Sequence, residues 1–189
     1  MFQRVLSIVG LAVLPWLAGC AGDPVRPPPQ PAPPLRPGAQ WTQSRVTEQC
    51  VPYARRVSGI GLRGDAWTWW EQTGDGPGLQ QTDQPKRGAV LVLRRGSRLS
   101  LGHLAVVVSV AGPRMAWVTH TNWGSDRATR RRIYGAMPVV DASADNDWTR
   151  VRMWNYDTGA WGGVYEAYGF IAAPGTVLSF NEYPAESAR

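Results

Sequence analysis

Apolar and polar residues divide the chain into three parts. An apolar run covers residues 5–17, and residues 23–38 are dense in proline and lack a hydrophobic period. From residue 40 onward, apolar residues recur at spacings typical of helices and strands, over a length that suits one domain. We therefore expect one folded domain over residues 40–189, reached through a proline-rich spacer.

The apolar segments of this domain predict an antiparallel sheet. Residues 88–95, 101–110 and 114–123 are rich in β-branched and aromatic side chains, and the sequence "AGPR" between the last two is a turn signal. Residues 149–155 and 165–174 are predicted to add further strands. The middle segments should form a hairpin.

The turn of this hairpin sets a register that brings polar side chains together. With a two-residue loop at Gly112 and Pro113, paired residues have numbers that sum to 225. His103 then lies opposite Asn122, and His120 lies on the same face. An imidazole and an amide at this distance can hydrogen-bond, as a catalytic base and its orienting group do. Because a one-residue slip would move Asn122 to the other face, the register is a hypothesis.

The stretch "TEQCVPYARRVSG" predicts a helix that begins at a cysteine. Tyr53, Ala54 and Val57 recur at helical spacing, and Gly59 would end the helix, which places Cys50 at the N-terminus. The backbone N–H groups and the dipole there favour a thiolate, so we expect a lowered thiol pKa and a reactive nucleophile. A lone cysteine is also often a small buried hydrophobe, and that alternative stays open.

Tryptophan is abundant, with 10 residues, and several are candidates for the walls of a cleft. A second short helix is predicted over residues 65–73, with Trp67 and Trp70 turned toward the core. Trp69 and Trp123 join these two as candidates for stacking on a ligand, although burial in the core is expected for most of them.

Charge and residue counts exclude some kinds of site. Basic residues outnumber acidic ones by 20 to 14, and residues 127–132, "RATRRR", form the strongest basic cluster. This charge suits an anionic surface, or the cluster is a solvated loop. No basic motif interleaved with aromatics supports nucleic-acid binding. Apart from Cys20 near the N-terminus, the chain has one cysteine and two histidines. Without a clustered carboxylate these are not a metal ligand set, so we expect no metal and no cofactor.

The N-terminal residues are typical of an export signal. Arg4 precedes the apolar run, which is too short to span a bilayer comfortably. The sequence "LAGC" resembles a bacterial lipobox, so we expect a lipoprotein signal peptide over residues 1–19, followed by a lipidated Cys20 and linker over residues 20–39. An ordinary cleaved signal or a buried helix is the alternative. Ala21 implies the outer membrane of a Gram-negative cell, with the domain in the periplasm.

Five segments, "QCVPYAR", "GDAWTWW", "PKRGAVLVL", "LGHLAVVVSV" and "VTHTNWG", follow one another over residues 45–124. In this order they resemble the CHAP family of cysteine, histidine-dependent amidohydrolases and peptidases, a branch of the papain-like fold. The resemblance implies an α+β fold, in which N-terminal helices carrying the cysteine pack on an antiparallel β-sheet carrying the histidine.

The resemblance also assigns catalytic roles. The nucleophile falls on Cys50 and the general base on His103. Many members end the next strand with an acidic residue, any residue and an asparagine, and here that sequence is His120, Thr121, Asn122. Asn122 is the preferred third catalytic residue, because its amide oxygen can accept from an imidazole N–H. His120 would instead contact substrate, stack in the cleft or replace the acid.

The implied function is that of a peptidoglycan hydrolase. It would cleave the amide between N-acetylmuramic acid and L-alanine, or a bond within the peptide, by cysteine–histidine nucleophilic catalysis. The missing acidic residue motivates the alternative, a non-catalytic lipoprotein that binds peptidoglycan or a partner through a CHAP-like cleft. A monomer is the default expectation for the oligomeric state.

Overall fold

The computed structural model describes residues 46–73 and 78–175. The predictions for the signal peptide over residues 1–19, for Cys20 and for the linker over residues 20–39 lie outside the described residues. Within the described ranges, no helix is long and apolar enough to cross a membrane.

The described residues form two α-helices and seven strands. The helices are α1 (Cys50–Ser58) and α2 (Thr68–Gln72), and a 3-10 helix spans Thr129–Arg131. The strands are β1 (Gln80–Thr82), β2 (Val90–Leu93), β3 (His103–Gly112), β4 (Met115–Thr121), β5 (Ile133–Asp141), β6 (Arg150–Asn155) and β7 (Ala160–Ala172). The prediction of an antiparallel sheet is confirmed.

The strands form a single sheet that closes on itself. Their order is β1-β7-β2-β3-β4-β5-β6, and β7 also pairs with β6. The last strand is 13 residues long, so one end of it pairs with β6 while the other end pairs with β1 and β2. The expected α+β fold is therefore found only in part, because the described chain is mostly strand in a barrel-like sheet, with helices of nine and five residues.

Helix α1 carries the cysteine and packs on β3 and β4. Its buried side chains are Cys50, Tyr53 and Ala54, whereas Val57 is 40% exposed, so the predicted apolar face is displaced by one turn toward the N-terminus. The Tyr53 hydroxyl lies 2.6 Å from Thr119 Oγ1 of β4. Gly59 ends the helix in the left-handed conformation at φ 75°, as predicted.

The β3–β4 hairpin reaches the predicted register at the end near the histidines, but by a different route. The turn residues are Pro113 and Arg114, one position later than expected. Gly112 therefore pairs with Met115, and those numbers sum to 227. Two bulges each shift the register by one, so the pairing that starts at Val106 and Thr119 has the predicted sum of 225.

Trp69, one of the four candidates for the cleft walls, is fully buried in the core, as was expected for most of them. Trp67 and Trp70, expected in the core, are only half-buried. Helix α2 begins at Thr68, and this short helix turns Trp69 toward the sheet, where it packs with residues of α1, β2 and β3. Trp70 stacks on Tyr168 of β7, with ring centroids 5.7 Å apart.

Candidate active site

A cleft of about 890 Å³ opens where the start of α1 meets the adjacent ends of β3 and β4. Four of its lining residues are ones that the sequence singled out: Cys50, His103, Asn122 and Trp123. The antiparallel pairing places the beginning of β3 beside the end of β4, so side chains far apart in sequence meet here.

The Cys50 thiol lies at the first residue of α1 and is buried, with 8% of the residue exposed. Burial raises the pKa of the thiol above its ordinary value, because a thiolate loses its hydration there. The backbone N–H groups of Leu104, Val51 and Cys50 itself act in the opposite direction but do not outweigh the burial. The expected lowering of the pKa of Cys50 is therefore wrong, although its position at the helix N-terminus is confirmed.

His103 and His120 form a buried hydrogen-bonded pair. His103 Nε2 lies 2.8 Å from His120 Nδ1, and the two residues are 2% and 0% exposed. Burial lowers the pKa of His103 to about 3, and burial together with the neighbouring His103 holds the pKa of His120 well below its ordinary value. Both rings are therefore neutral near pH 7, and Nδ1 of His103 is the nitrogen that His120 does not engage.

Asn122 follows the end of β4 with a left-handed backbone, at φ 56°. Its Nδ2 donates to Gln49 Oε1 at 2.6 Å, so this amide holds the residue that precedes the cysteine. The expected hydrogen bond from His103 goes to His120 instead, because His120 is the inward-facing residue of β4 and Asn122 turns away after the strand ends. Asparagine tolerates the left-handed region better than most residues, which suits it to this position.

Aromatic rings enclose the histidine pair. The Trp123 ring lies 4.7 Å from that of His103 and 5.4 Å from that of His120, and Tyr134 of β5 lies 5.2 Å from His120. Trp123 is the predicted wall residue that does line the cleft. Tyr134 was missed because residues 133–140 were not recognised as a strand of this sheet, although "IYGAMPVV" is rich in β-branched and apolar residues.

Gly102 allows the chain to approach the start of β3 closely. A Cβ at this position would lie 2.7 Å from Leu93 O and 3.0 Å from the backbone N of Trp67, and the residue has φ +69°. The protein's own backbone thus makes this close approach, and it fixes the position of the neighbouring His103.

Four charged side chains line the cleft: Asp65, Arg98, Arg130 and Asp157. Arg98 donates to the carbonyl of Val164 and lies 4.0 Å from the Tyr165 ring, and Arg130 donates to Gly124 O at 3.1 Å. Arg130 belongs to the predicted basic cluster and extends it to the mouth of the cleft. Among the described residues, no group of three His, Cys, Asp or Glu side chains is placed to hold a metal ion.

Comparison with known protein families identifies the domain that carries this cleft. Comparison with curated proteins gave no match. The family model of the CHAP domain matches residues 39–122, a range that begins before α1 and includes Cys50, His103, His120 and Asn122. The strands that follow this range, β5 to β7, complete the same sheet. The chain therefore contains a CHAP domain, as its sequence segments predicted.

Proposed function

We propose that the protein is a peptidoglycan hydrolase that cleaves an amide bond through Cys50 and His103. A CHAP domain implies a function of the peptidoglycan hydrolase or amidase type. The observation that supports this proposal best is that one cleft is lined both by a cysteine at a helix N-terminus and by His103, which is hydrogen-bonded to the buried His120. Cys50, His103 and His120 would then serve as nucleophile, base and orienting group.

In the proposed first step, the Cys50 thiol passes its proton to His103 Nδ1 as its sulfur forms a bond to the substrate carbonyl carbon. Because the pKa of the thiol is raised and that of His103 is lowered, the resting pair is a neutral thiol and a neutral imidazole. His103 therefore acts as a general base during the attack. Backbone N–H groups at the start of α1 would stabilise the oxyanion.

In the second step, His103 gives this proton to the leaving amine as the carbon–nitrogen bond breaks, which leaves a thioester on Cys50. Water then attacks the thioester carbonyl, His103 takes a proton from it, and the thiolate leaves and is reprotonated. We propose that His120 orients His103 throughout, because its Nδ1 is the ring partner 2.8 Å away. Asn122, the preferred third residue on sequence grounds, would act through Gln49 instead.

We propose a location in the periplasm, on a lipid anchor at Cys20 in the outer membrane. This proposal is supported by the sequence alone, through the apolar run, the "LAGC" sequence and the proline-rich stretch that follows. A Cys20→Ala variant should leave the membrane fraction, and mass spectrometry of the wild-type N-terminus should show the acyl groups.

A second candidate function is binding of the cell wall without turnover. It is favoured by the site's electrostatics, because no carboxylate partners His103 and the imidazolium formed during attack would be stabilised only by a neutral ring. Arg98 and Arg130, which line the cleft together with Asp65 and Asp157, would then contact anionic groups of the polymer.

Incubation of purified peptidoglycan with wild-type protein and with Cys50→Ala separates the two candidates. Hydrolysis predicts soluble products from the wild type alone, and the masses of the new ends distinguish an amidase from an endopeptidase. Circular dichroism of the variant controls for folding. If neither protein releases products while both sediment with the wall, binding replaces hydrolysis as the function.

A further inference from the structure

His120 has a second contact, which the proposed chemistry does not use. Its Nε2 lies 3.2 Å from Met137 Sδ, and the methionine is 1% exposed. Met137 lies on β5, paired with Val118 of β4. The imidazole of His120 is thus held between His103 at one nitrogen and a thioether at the other.

Among the described residues, no side chain other than Met137 is hydrogen-bonded to His120 Nε2. The Tyr134 ring is close, but its hydroxyl donates to the carbonyls of Trp123 and Thr129, at 3.3 and 3.4 Å. The contact of Nε2 in this buried environment is therefore the sulfur.

The chemistry of sulfur decides where the proton of His120 resides. A thioether accepts a hydrogen bond but has no proton to donate. A hydrogen bond between Nε2 and Met137 Sδ therefore requires the proton to be on Nε2. Since burial and His103 keep the pKa of His120 well below its ordinary value, the ring carries only this one proton, and its Nδ1 is a bare acceptor.

The tautomer of His120 in turn fixes that of His103. Two bare nitrogens 2.8 Å apart would repel, so the proton between the rings belongs to His103 Nε2. His103 is neutral as well, which leaves its Nδ1 with a free lone pair. The reverse arrangement, with a proton on His120 Nδ1, would place the proton of His103 on Nδ1 and prevent that atom from accepting the thiol proton.

We propose that Met137 is a positioning residue that selects the tautomers of both histidines and so keeps His103 Nδ1 unprotonated. The consequence for catalysis depends on the proposed hydrolase function, whereas the tautomers themselves do not. A carboxylate in the place of His120 would need no such help, because it can only accept. A neutral imidazole can donate or accept at the same nitrogen, so a third group must determine which of its two nitrogens carries the proton.

Nitrogen NMR of the full chain labelled with ¹⁵N-histidine tests this directly. The chain has only two histidines, so long-range proton–nitrogen correlations resolve two ring systems. Near neutral pH, both rings should show a protonated Nε2 and a bare Nδ1. A protonated Nδ1 on either ring of the wild-type protein would overturn the proposal.

Two matched variants separate this role from a packing role. Met137→Leu keeps an apolar side chain of similar volume but removes the acceptor, and Met153→Leu makes the same change at another buried methionine of the same core cluster. Met137→Leu should introduce the Nδ1–H tautomer of His120 and lower kcat roughly tenfold with little change in KM, as loss of one hydrogen bond predicts. Met153 also lines the cleft but is not hydrogen-bonded to either histidine, so Met153→Leu should leave the tautomers of both histidines unchanged.

The outcomes of this test remain distinct from those of the proposed function. If Met137→Leu retains the wild-type tautomers, Met137 does not select them and the proposal fails. If the tautomer shift occurs but the wild-type protein releases no product from peptidoglycan, the selection by Met137 stands and the hydrolase function falls.

Discussion

Two opposing effects act on the Cys50 thiol, and their magnitudes decide its state. The dipole at a helix N-terminus stabilises a negative charge by about 0.3–1 kcal/mol, or up to about 2 kcal/mol in partly buried sites. Removing an ion from water costs several kcal/mol in real proteins. With 8% of Cys50 exposed, the cost of burial prevails and the pKa of the thiol is raised. A helix start can be recognised in a sequence, but the burial that overrides it depends on how α1 packs on the sheet.

Alkylation of Cys50 by iodoacetamide should depend on pH in a way that reflects this burial. Because only the thiolate reacts and a raised pKa keeps it scarce at neutral pH, we expect the rate to keep rising with pH beyond the ordinary thiol value of about 8.5. A Cys20→Ser background leaves one thiol, and the urea-unfolded protein is the control, with a rate that levels off near the ordinary value. A plateau in the folded protein below that value would contradict the raised pKa.

Substitution of His120 and of Asn122 should have unequal effects on turnover. His120 contacts the His103 ring directly, so we expect His120→Ala to lower kcat by about 10²- to 10⁴-fold, in the range seen when orienting groups of catalytic histidines are changed. Asn122→Gly removes the amide while tolerating φ 56°, and should cost about tenfold through loss of its hydrogen bond to Gln49. Kinetics of peptide release measure both, and a larger loss for Asn122→Gly would restore the asparagine as the third catalytic residue.

At the scale of elements, the hairpin that carries both histidines shows what sequence reasoning can and cannot reach. The alternation of β-branched residues and the "AGPR" turn are local features, and they predicted β3, β4 and their pairing. The exact turn and the two bulges depend on how β4 also pairs with β5, which has its own register shift between Val118 and His120. The turn lies one position later than predicted, which raises the sum of paired residue numbers by two, and each of the two bulges lowers it by one. The predicted register is therefore correct at the end of the hairpin near the histidines.

Gly102→Ala tests the close contact that positions His103. The new Cβ would lie 2.7 Å from a carbonyl oxygen at a residue with φ +69°, so we expect a loss of unfolding free energy of about 1–3 kcal/mol, together with a lower kcat as His103 shifts. Gly135→Ala is the control, because a Cβ on that β5 residue meets nothing within 4 Å. Urea unfolding of both variants checks the prediction. Equal free energies of unfolding would contradict it, because the backbone near Trp67 would then move to accommodate the new Cβ without loss of stability.

At the scale of the molecule, the family segments predicted the site residues and the strands that carry them, but not the closure of the sheet. The strand at 165–174 was predicted, whereas β7 begins at Ala160 and pairs on both edges. Closure is a long-range property, since β7 joins β6, its neighbour along the chain, to β2, which lies far away in sequence. The residue pattern of a segment indicates which side chains are buried and whether the segment is a strand, but it does not indicate with which distant strand the segment pairs.

Because β7 closes the sheet, we expect that the residues matched by the family model do not fold without it. Residues 39–122 contain every proposed catalytic side chain, yet they lack β7, whose Phe170 and Ile171 are fully buried and whose edges complete β1 and β2. Without it, β2 becomes an open edge and the inner face of β3 and β4 loses its cover from β5 to β7. We expect a chain of residues 39–122 to show no cooperative urea transition by circular dichroism, whereas the full chain does. A cooperative transition in the shorter chain would mean that α1 and the hairpin fold as a unit, and that the remaining strands serve the cleft rather than the stability of the domain.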